Sequence, residues 1–187
     1  MTPSHTLARP ATTSWLKMIM DTEHHLNTLL SLIAPDLFQA GMEAIGKLKK
    51  SSPSHRNLQL WPTAFSAIGV IVNRKTLAHR DQGGWNSCFD LLVAAGNYKQ
   101  CYLHVADAGA RFEYNPGTVV AICGKVLRHS VPSWEGGERI CYAHYMRNNV
   151  HNRLNVAQSP WASYSHYTQY MSSRHLHRTA GNRYSQP

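Results

Sequence analysis

No apolar run in this sequence reaches the ~18 residues that a membrane-crossing helix needs, and no membrane partner is expected. Cysteine is scarce, with four residues at 88, 101, 123 and 141. No two of them are spaced as Cys-x-x-Cys, so there is no paired-thiol zinc signature. The four thiols are expected to be small core side chains of a reducing compartment. Met1 to Thr13 is polar and proline-bearing, so no secretory signal is expected there. Acid is scarce too. Asp and Glu number 10 against 19 Lys and Arg, a formal net charge of +9. That balance favours a polyanionic partner, nucleic acid first.

What is present suits one domain. Residues 1–13 are expected to be a disordered leader, and 14–57 an N-terminal helical layer. Ser14 is placed to cap a first helix whose Leu16, Ile19, Met20, Leu26, Leu30 and Ile33 recur every three or four residues. Ala34-Pro35-Asp36 interrupts that stripe, and Pro35 suits the first turn of a second helix carrying Leu37, Phe38, Met42, Ile45 and Leu48. "SSPSHRN" (51–57) reads as a loop. From Leu58 to Leu154 the pattern changes to five or six short apolar runs parted by Gly-Asn, Asn-Pro-Gly and Glu-Gly-Gly, which predicts a sandwich, barrel or jelly roll. Residues 155–187 are polar, aromatic and basic, carry Arg174, Arg178 and Arg183 without one acid, and are expected to be a flexible tail. Lys47, Lys49, Lys50 and Arg56 form a second basic cluster before the β region.

The chemistry turns on "TLAHRDQGGWN", Thr76 to Asn86. His79-Arg80-Asp81 with Asn86 fits the kinase catalytic-loop pattern H-R-D-x-x-x-x-N. His79 and Asp81 alone fit half of a two-histidine, one-carboxylate iron site. A kinase needs a whole nucleotide-binding lobe before that loop. Only 78 residues precede His79, most of them read as helix, and there is no G-x-G-x-x-G. Nor does Asp-Phe-Gly follow; Asp107-Ala108-Gly109 has the wrong middle residue. The kinase reading fails on context.

The iron reading has support further along. Alternate strand residues share a face, so His79 and Asp81 project together while Arg80 turns away. The third ligand must come from a later strand. His129 in "GKVLRHSV" is the first candidate and His104 in "CYLHVAD" its competitor. After His129, Arg139 opens "RICYAHY", a strand expected to turn back beside the His129 strand across Glu135-Gly136-Gly137. A buried arginine there suits a bidentate grip on the far carboxylate of a 2-oxoacid.

In their order, His79-x-Asp81, "YNPGTVV", His129 and Arg139 resemble the iron(II)/2-oxoglutarate dioxygenases, and among them the TET/JBP group. More narrowly, the chain is similar to a compact fungal-type member. The resemblance covers Trp61 to Leu154 well and the helices at 14–50 more loosely. It implies an α+β fold, a double-stranded β-helix (jelly-roll) core with N-terminal helices packed on it. It also implies Fe(II), 2-oxoglutarate and O2 as cofactors and DNA as partner. The implied reaction is oxidation of 5-methylcytosine or thymine after base flipping. Carried over residue by residue, it makes His79, Asp81 and His129 the metal ligands and Arg139 the cosubstrate anchor. Cys141 stands where the animal enzymes have a serine that assists the cosubstrate. Tyr145 falls where the family stacks an aromatic on the flipped base. Arg147 replaces a histidine on the pyrimidine edge, and Gly84 replaces an asparagine for which Asn86 is the candidate substitute. A monomer and a nuclear location, cytoplasmic otherwise, complete the expectation. Two other readings stay open: an oxygenase of the same fold acting on a protein or an alkylated base, and a non-catalytic basic DNA-binding module on that scaffold. A cupin-like binding protein would have no need of the arginine.

Overall fold

The computed structural model describes residues 4–82 and 87–157. Two helices lead, α1 (Pro10–Ile33) and α2 (Pro35–Ser51), broken at Ala34-Pro35 as expected. The first helix starts four residues before Ser14, with Pro10 in its first turn. A tertiary contact explains the difference. Asn57 donates to the carbonyls of Leu7 and Arg9 and accepts from the Thr13 hydroxyl, so residues expected in the leader are tied down. The 51–57 loop and the first apolar run also differ from expectation. A short helix α3 (Arg56–Gln59) forms, capped by the His55 ring, and among the described residues no strand begins before Ala67. Residues 60–66 are irregular and largely buried, yet their polar groups are satisfied. Asn27 of α1 bonds Pro62 O and Ala64 N, and the Trp61 indole donates to Phe65 O.

Among the described residues eight strands follow: β1 (Ala67–Val72), β2 (Thr76–His79), β3 (Asp90–Gly96), β4 (Tyr102–Val105), β5 (Ala110–Glu113), β6 (Val119–Ile122), β7 (His129–Val131) and β8 (Arg139–Tyr145). The single run "CYLHVADAGARFEY" folds into the β4–β5 hairpin because Ala106–Ala108 forms a 3-10 turn closed by Gly109 in the left-handed region. The strands build two antiparallel sheets, β1-β8-β3-β6 and β2-β7-β4-β5, stacked as a double-stranded β-helix with the helices on one side. One expectation is corrected. The Arg139 strand does not lie beside the His129 strand; β8 sits between β1 and β3, while β7 pairs with β2 and β4. Gly136 and Gly137, both at positive φ, together with the Lys99–Glu135 bridge, carry the chain from one sheet to the other instead of closing a hairpin.

Strand alternation separates two cores. From β3, Leu91 and Val93 face the helices and pack with Leu26, Leu30, Leu37 and Phe65. Leu92 and Ala94 face the space between the sheets, with Leu103, Val105, Tyr114, Val131 and Cys141. A buried pair joins the layers: His144 Nε2 lies 2.8 Å from Glu23 Oε1 of α1, and His144 Nδ1 is 3.2 Å from Leu91 O. A last short helix, α4 (Asn148–Arg153), follows β8. Leu154 and Val156 then pack on Ala40 and Ala44, and Lys47 donates to the carbonyls of Leu154 and Asn155. The segment expected to be a tail is therefore docked at Asn155 and Val156; from residue 158 on it lies outside the described residues. Among the described residues no helix is long and apolar enough to cross a membrane.

Candidate active site

Antiparallel pairing of β2 with β7 sets His79 opposite His129, with ring centroids 4.4 Å apart. Asp81 lies just past the end of β2, where its N–H donates to Gly124 O at 2.9 Å. Its carboxylate then reaches both rings: Oδ1 is 3.2 Å from His79 Nε2 and Oδ2 is 3.8 Å from His129 Nε2. One ligand atom from each of the three residues lies within 4.8 Å of the other two. In both rings the other nitrogen, Nδ1, faces a backbone carbonyl two residues back, Leu77 O at 2.9 Å and Leu127 O at 3.0 Å. A carbonyl only accepts, so each Nδ1 carries the proton and each Nε2 keeps a free lone pair toward the centre. His129 is buried while Asp81 is 40% exposed, leaving the centre open on one side. These are the donor set and the open face that a divalent iron site requires.

The competitor His104 is not part of this group. Alternation on β4 sends Leu103 and Val105 inward and His104 outward, and it is Val105 that stands opposite His129. Arg80 also turns away, donating to both Asp107 carboxylate oxygens and to Val126 O. The Arg128 backbone N–H, and after it Arg80, hold the Asp107 carboxyl below its usual range. The pair braces the end of β2 against the turn before β7.

On β8 the inward positions are Arg139, Cys141, Ala143 and Tyr145, which puts arginine and tyrosine on one face roughly 20 Å apart along the strand. Arg139 is 2% exposed. Its guanidinium carbon lies 5.5 Å from the Tyr114 ring and 5.7 Å from the Trp134 ring, and Nη1 donates to Arg74 O at 3.3 Å. Its Nε is buried without an acceptor, and among the described residues no carboxylate pairs with it. A buried guanidinium is costly unless an anion meets it, so this position fits a carboxylate ligand. Cys141 lies 3.3 Å from the Tyr114 hydroxyl, and burial pushes its thiol up. It shares Tyr114 with Arg139 and does not line the cavity.

That cavity, about 700 Å³, opens beside Asp81 between the sheets. Tyr145 and Arg147 form one wall; Arg147 Nη2 donates to the Tyr145 hydroxyl at 3.3 Å and its guanidinium sits 5.5 Å from the Tyr145 ring. Asn86 and Gly84 lie outside the described residues. Two groups of lining residues are absent from the expectations. Asn148, Asn149 and Asn152 come from α4, whose six residues leave no periodic signal in the sequence. Asp90 opens β3, and its signal was legible: in "DLLVAAG" it shares the inward face with Leu92 and Ala94. Burial, then the Asp81 charge, pushes its carboxyl up to about 7 against the pull of the Gly124 N–H.

Comparison with known proteins matches this architecture. The family model for the Tet/JBP oxygenase domain of the 2OGFeDO superfamily matches residues 3–148. The bifunctional helicase and thymine dioxygenase JBP2 of Trypanosoma brucei brucei (strain 927/4 GUTat10.1) is 29% identical over 110 residues, covering 50% of this chain. The match covers only 10% of JBP2 itself. The solved structure of NgTET1 in complex with 5mC DNA is similar at a TM-score of 0.58 and 16% identity, covering 79% of this chain and 55% of that one. At that identity the likeness is one of fold.

Proposed function

This chain belongs to the Tet/JBP family of oxygenase domains, and from that premise we propose that it is an iron(II)- and 2-oxoglutarate-dependent dioxygenase oxidising a methylated pyrimidine, 5-methylcytosine or thymine, in DNA. The observation that carries the reading is the convergence of His79, Asp81 and His129 at the side of a cavity walled by Tyr145 and Arg147. JBP2 is described as a thymine dioxygenase and NgTET1 was solved with 5mC DNA, which supports a methylated base as substrate.

His79, Asp81 and His129 would hold the metal through Nε2, a carboxylate oxygen and Nε2. Bound there with 2-oxoglutarate and O2, iron supplies the oxidation of an unactivated methyl group, which no side chain can perform alone. Arg139 would take the far carboxylate of the cosubstrate in a bidentate pair, with Tyr114 and Trp134 keeping water from it. Cys141 would pack beside that pair without bonding it directly. A methyl within stacked duplex is out of reach, so the base must leave the stack at a cost of a few kcal/mol. Tyr145 would offset part of that by stacking, worth roughly 1–3 kcal/mol. Arg147 would face the polar edge of the base. The excess of Lys and Arg would give backbone affinity that weakens with salt. A nuclear location goes with such a substrate.

Mass spectrometry of nucleosides, after incubation with methylated DNA, Fe(II) and 2-oxoglutarate, tests the proposal. Oxidised pyrimidine from the native chain and none from Asp81→Ala is the expected result. Failure of the native chain to oxidise either base, or undiminished product from Asp81→Ala, would overturn it.

A further inference from the structure

Asp90 is a buried carboxyl that the three-residue metal group does not include, yet it opens onto the same cavity. Three features place it. First, Leu91 pairs with His144, so one residue further on each strand Asp90 and Tyr145 stand side by side on the inward face of the sheet. Second, Asp81 and Asp90 converge on Gly124: a side chain built at that glycine would run into Asp81 Oδ2 and come within 3.0 Å of Asp90 Oδ2. Asp90 is therefore the cavity carboxyl next to the metal group. Third, among the described residues no cation pairs with it and its donor is the Gly124 N–H. Its remaining lone pairs are left for a ligand.

The chemistry of a pyrimidine then decides what Asp90 meets. The methyl on C5 and the substituent on C4 are borne by adjacent ring atoms. A base lying on Tyr145 with its methyl toward Asp81 must bring its C4 substituent to the neighbouring wall, where Asp90 stands. In cytosine that substituent is an amino donor; in thymine it is a carbonyl acceptor. Arg147, which donates only, stands against the Tyr145 hydroxyl and suits the acceptors N3 and O2 of cytosine. Thymine presents N–H at position 3 and mismatches both groups.

We infer that Asp90 is the residue that selects the base: its carboxylate accepts from the exocyclic amino group, so the pocket favours 5-methylcytosine over thymine. The inference rests on the oxygenase reading above and deepens it by assigning base identity to a residue on β3. It also gives a physical reason for keeping a carboxyl in so poorly solvated a place.

The test compares the native chain with Asp90→Asn, which keeps the shape and can turn an amide N–H toward a thymine carbonyl. Single-stranded oligonucleotides of one sequence, carrying either one 5-methylcytosine or one thymine, remove differences in flipping cost. Two ratios are measured: initial rates with Fe(II) and 2-oxoglutarate, and equilibrium binding by fluorescence anisotropy after chelation of metal. The native chain should favour 5-methylcytosine in both. Asp90→Asn should lower both preferences by about tenfold or more, the scale of one good base-edge contact, with Fe(II) affinity unchanged. Preferences that survive the substitution overturn the role of Asp90 while the oxygenase reading stands. A native chain that oxidises neither base overturns the oxygenase reading, and the binding ratio then decides Asp90 alone. Loss of Fe(II) binding in Asp90→Asn would mark a metal-positioning residue instead and also overturn the inference. Asp90→Ser, with a melting curve for each variant, guards against misfolding and should reproduce the loss of preference.

Discussion

Gly124→Ala separates the proposed metal site from the stability of the fold. Gly124 lies between β6 and β7, and its carbonyl takes the Asp81 N–H. Its φ is not positive, so alanine meets no backbone penalty there. The whole effect is steric. An added Cβ would strike Asp81 Oδ2 and lie 3.1 Å from Asp81 Cγ and 3.0 Å from Asp90 Oδ2. Asp81 is 40% exposed and can swing aside into solvent. Folding should therefore lose only about 1 kcal/mol, the low end for overpacking, partly offset by the stiffer unfolded chain. The swing, however, removes Oδ1 from its place 3.2 Å from His79 Nε2. Displacing a ligand in this way should weaken Fe(II) binding about 10–100-fold, the range seen when ligand orientation is lost. Anaerobic Fe(II) titration gives the affinity, and melting in the presence of a chelator gives the stability. Gly46→Ala serves as control: nothing lies within 4 Å of its added Cβ on α2, so it should leave iron affinity alone and stabilise by up to about 1 kcal/mol. Iron binding by Gly124→Ala as tight as that of the native chain would remove Asp81 from the metal site. A collapse of its melting temperature would refute the swing of Asp81, because the methyl would then be striking something that cannot move.

Three further outcomes follow from single contacts. Arg139→Met should raise the 2-oxoglutarate concentration for half-maximal turnover about tenfold or more, the worth of a charged hydrogen bond, with Fe(II) affinity alone unchanged; titration of both ligands checks it. Glu23→Ala strands His144 in the core and should cost about 3–5 kcal/mol in urea unfolding, whereas replacing both by apolar residues of similar size should recover most of the loss. Burial, and after it the Asp81 charge, pushes the Asp90 carboxyl of the folded chain from the ordinary 3.8 up to about 7. The folded chain thus holds that proton more tightly than the unfolded one, so the stability it contributes is complete below about pH 4 and is lost as pH rises toward 7. In chelated protein, Asp90→Asn should accordingly stabilise at pH 8 by up to about 4 kcal/mol and change little at pH 4, as read from melting curves at the two pH values.

Local signals carried the parts of this molecule that depend on neighbours in sequence. The helical period of α1, the Ala34-Pro35 break and the positions of the turns need only near residues to act, and each appears where expected, although Ile33 at the end of the stripe is exposed and Glu135-Gly136-Gly137 joins two sheets instead of closing a hairpin. The start of α1 did not, because Asn57 anchors it from beyond α2. The buried coil at 60–66 likewise borrows its hydrogen-bond partner, Asn27, from another element. For the site, His79-x-Asp81 was legible as a spacing, and a later strand histidine was the missing third member. Choosing His129 over His104 is a matter of which face of a strand turns inward, which register decides.

The order of His79, Asp81, His129 and Arg139 along the chain is what makes the candidate chemistry legible, since only a few residue kinds can hold iron or grip a 2-oxoacid. By itself the sequence also determined the helical and β regions, since periodicity is a local property. How the pieces meet is a matter of strand pairing across the whole fold. That pairing placed β8 in the opposite sheet from β7, so that Arg139 and Tyr145 line one inward face of the sandwich while the histidines come from the other sheet. It also brought Asp90, which belongs to no ligand spacing in the sequence, beside Asp81 through the bare backbone of Gly124. Sheet pairing joins residues regardless of their separation in the chain, and no local pattern encodes which strands will become neighbours.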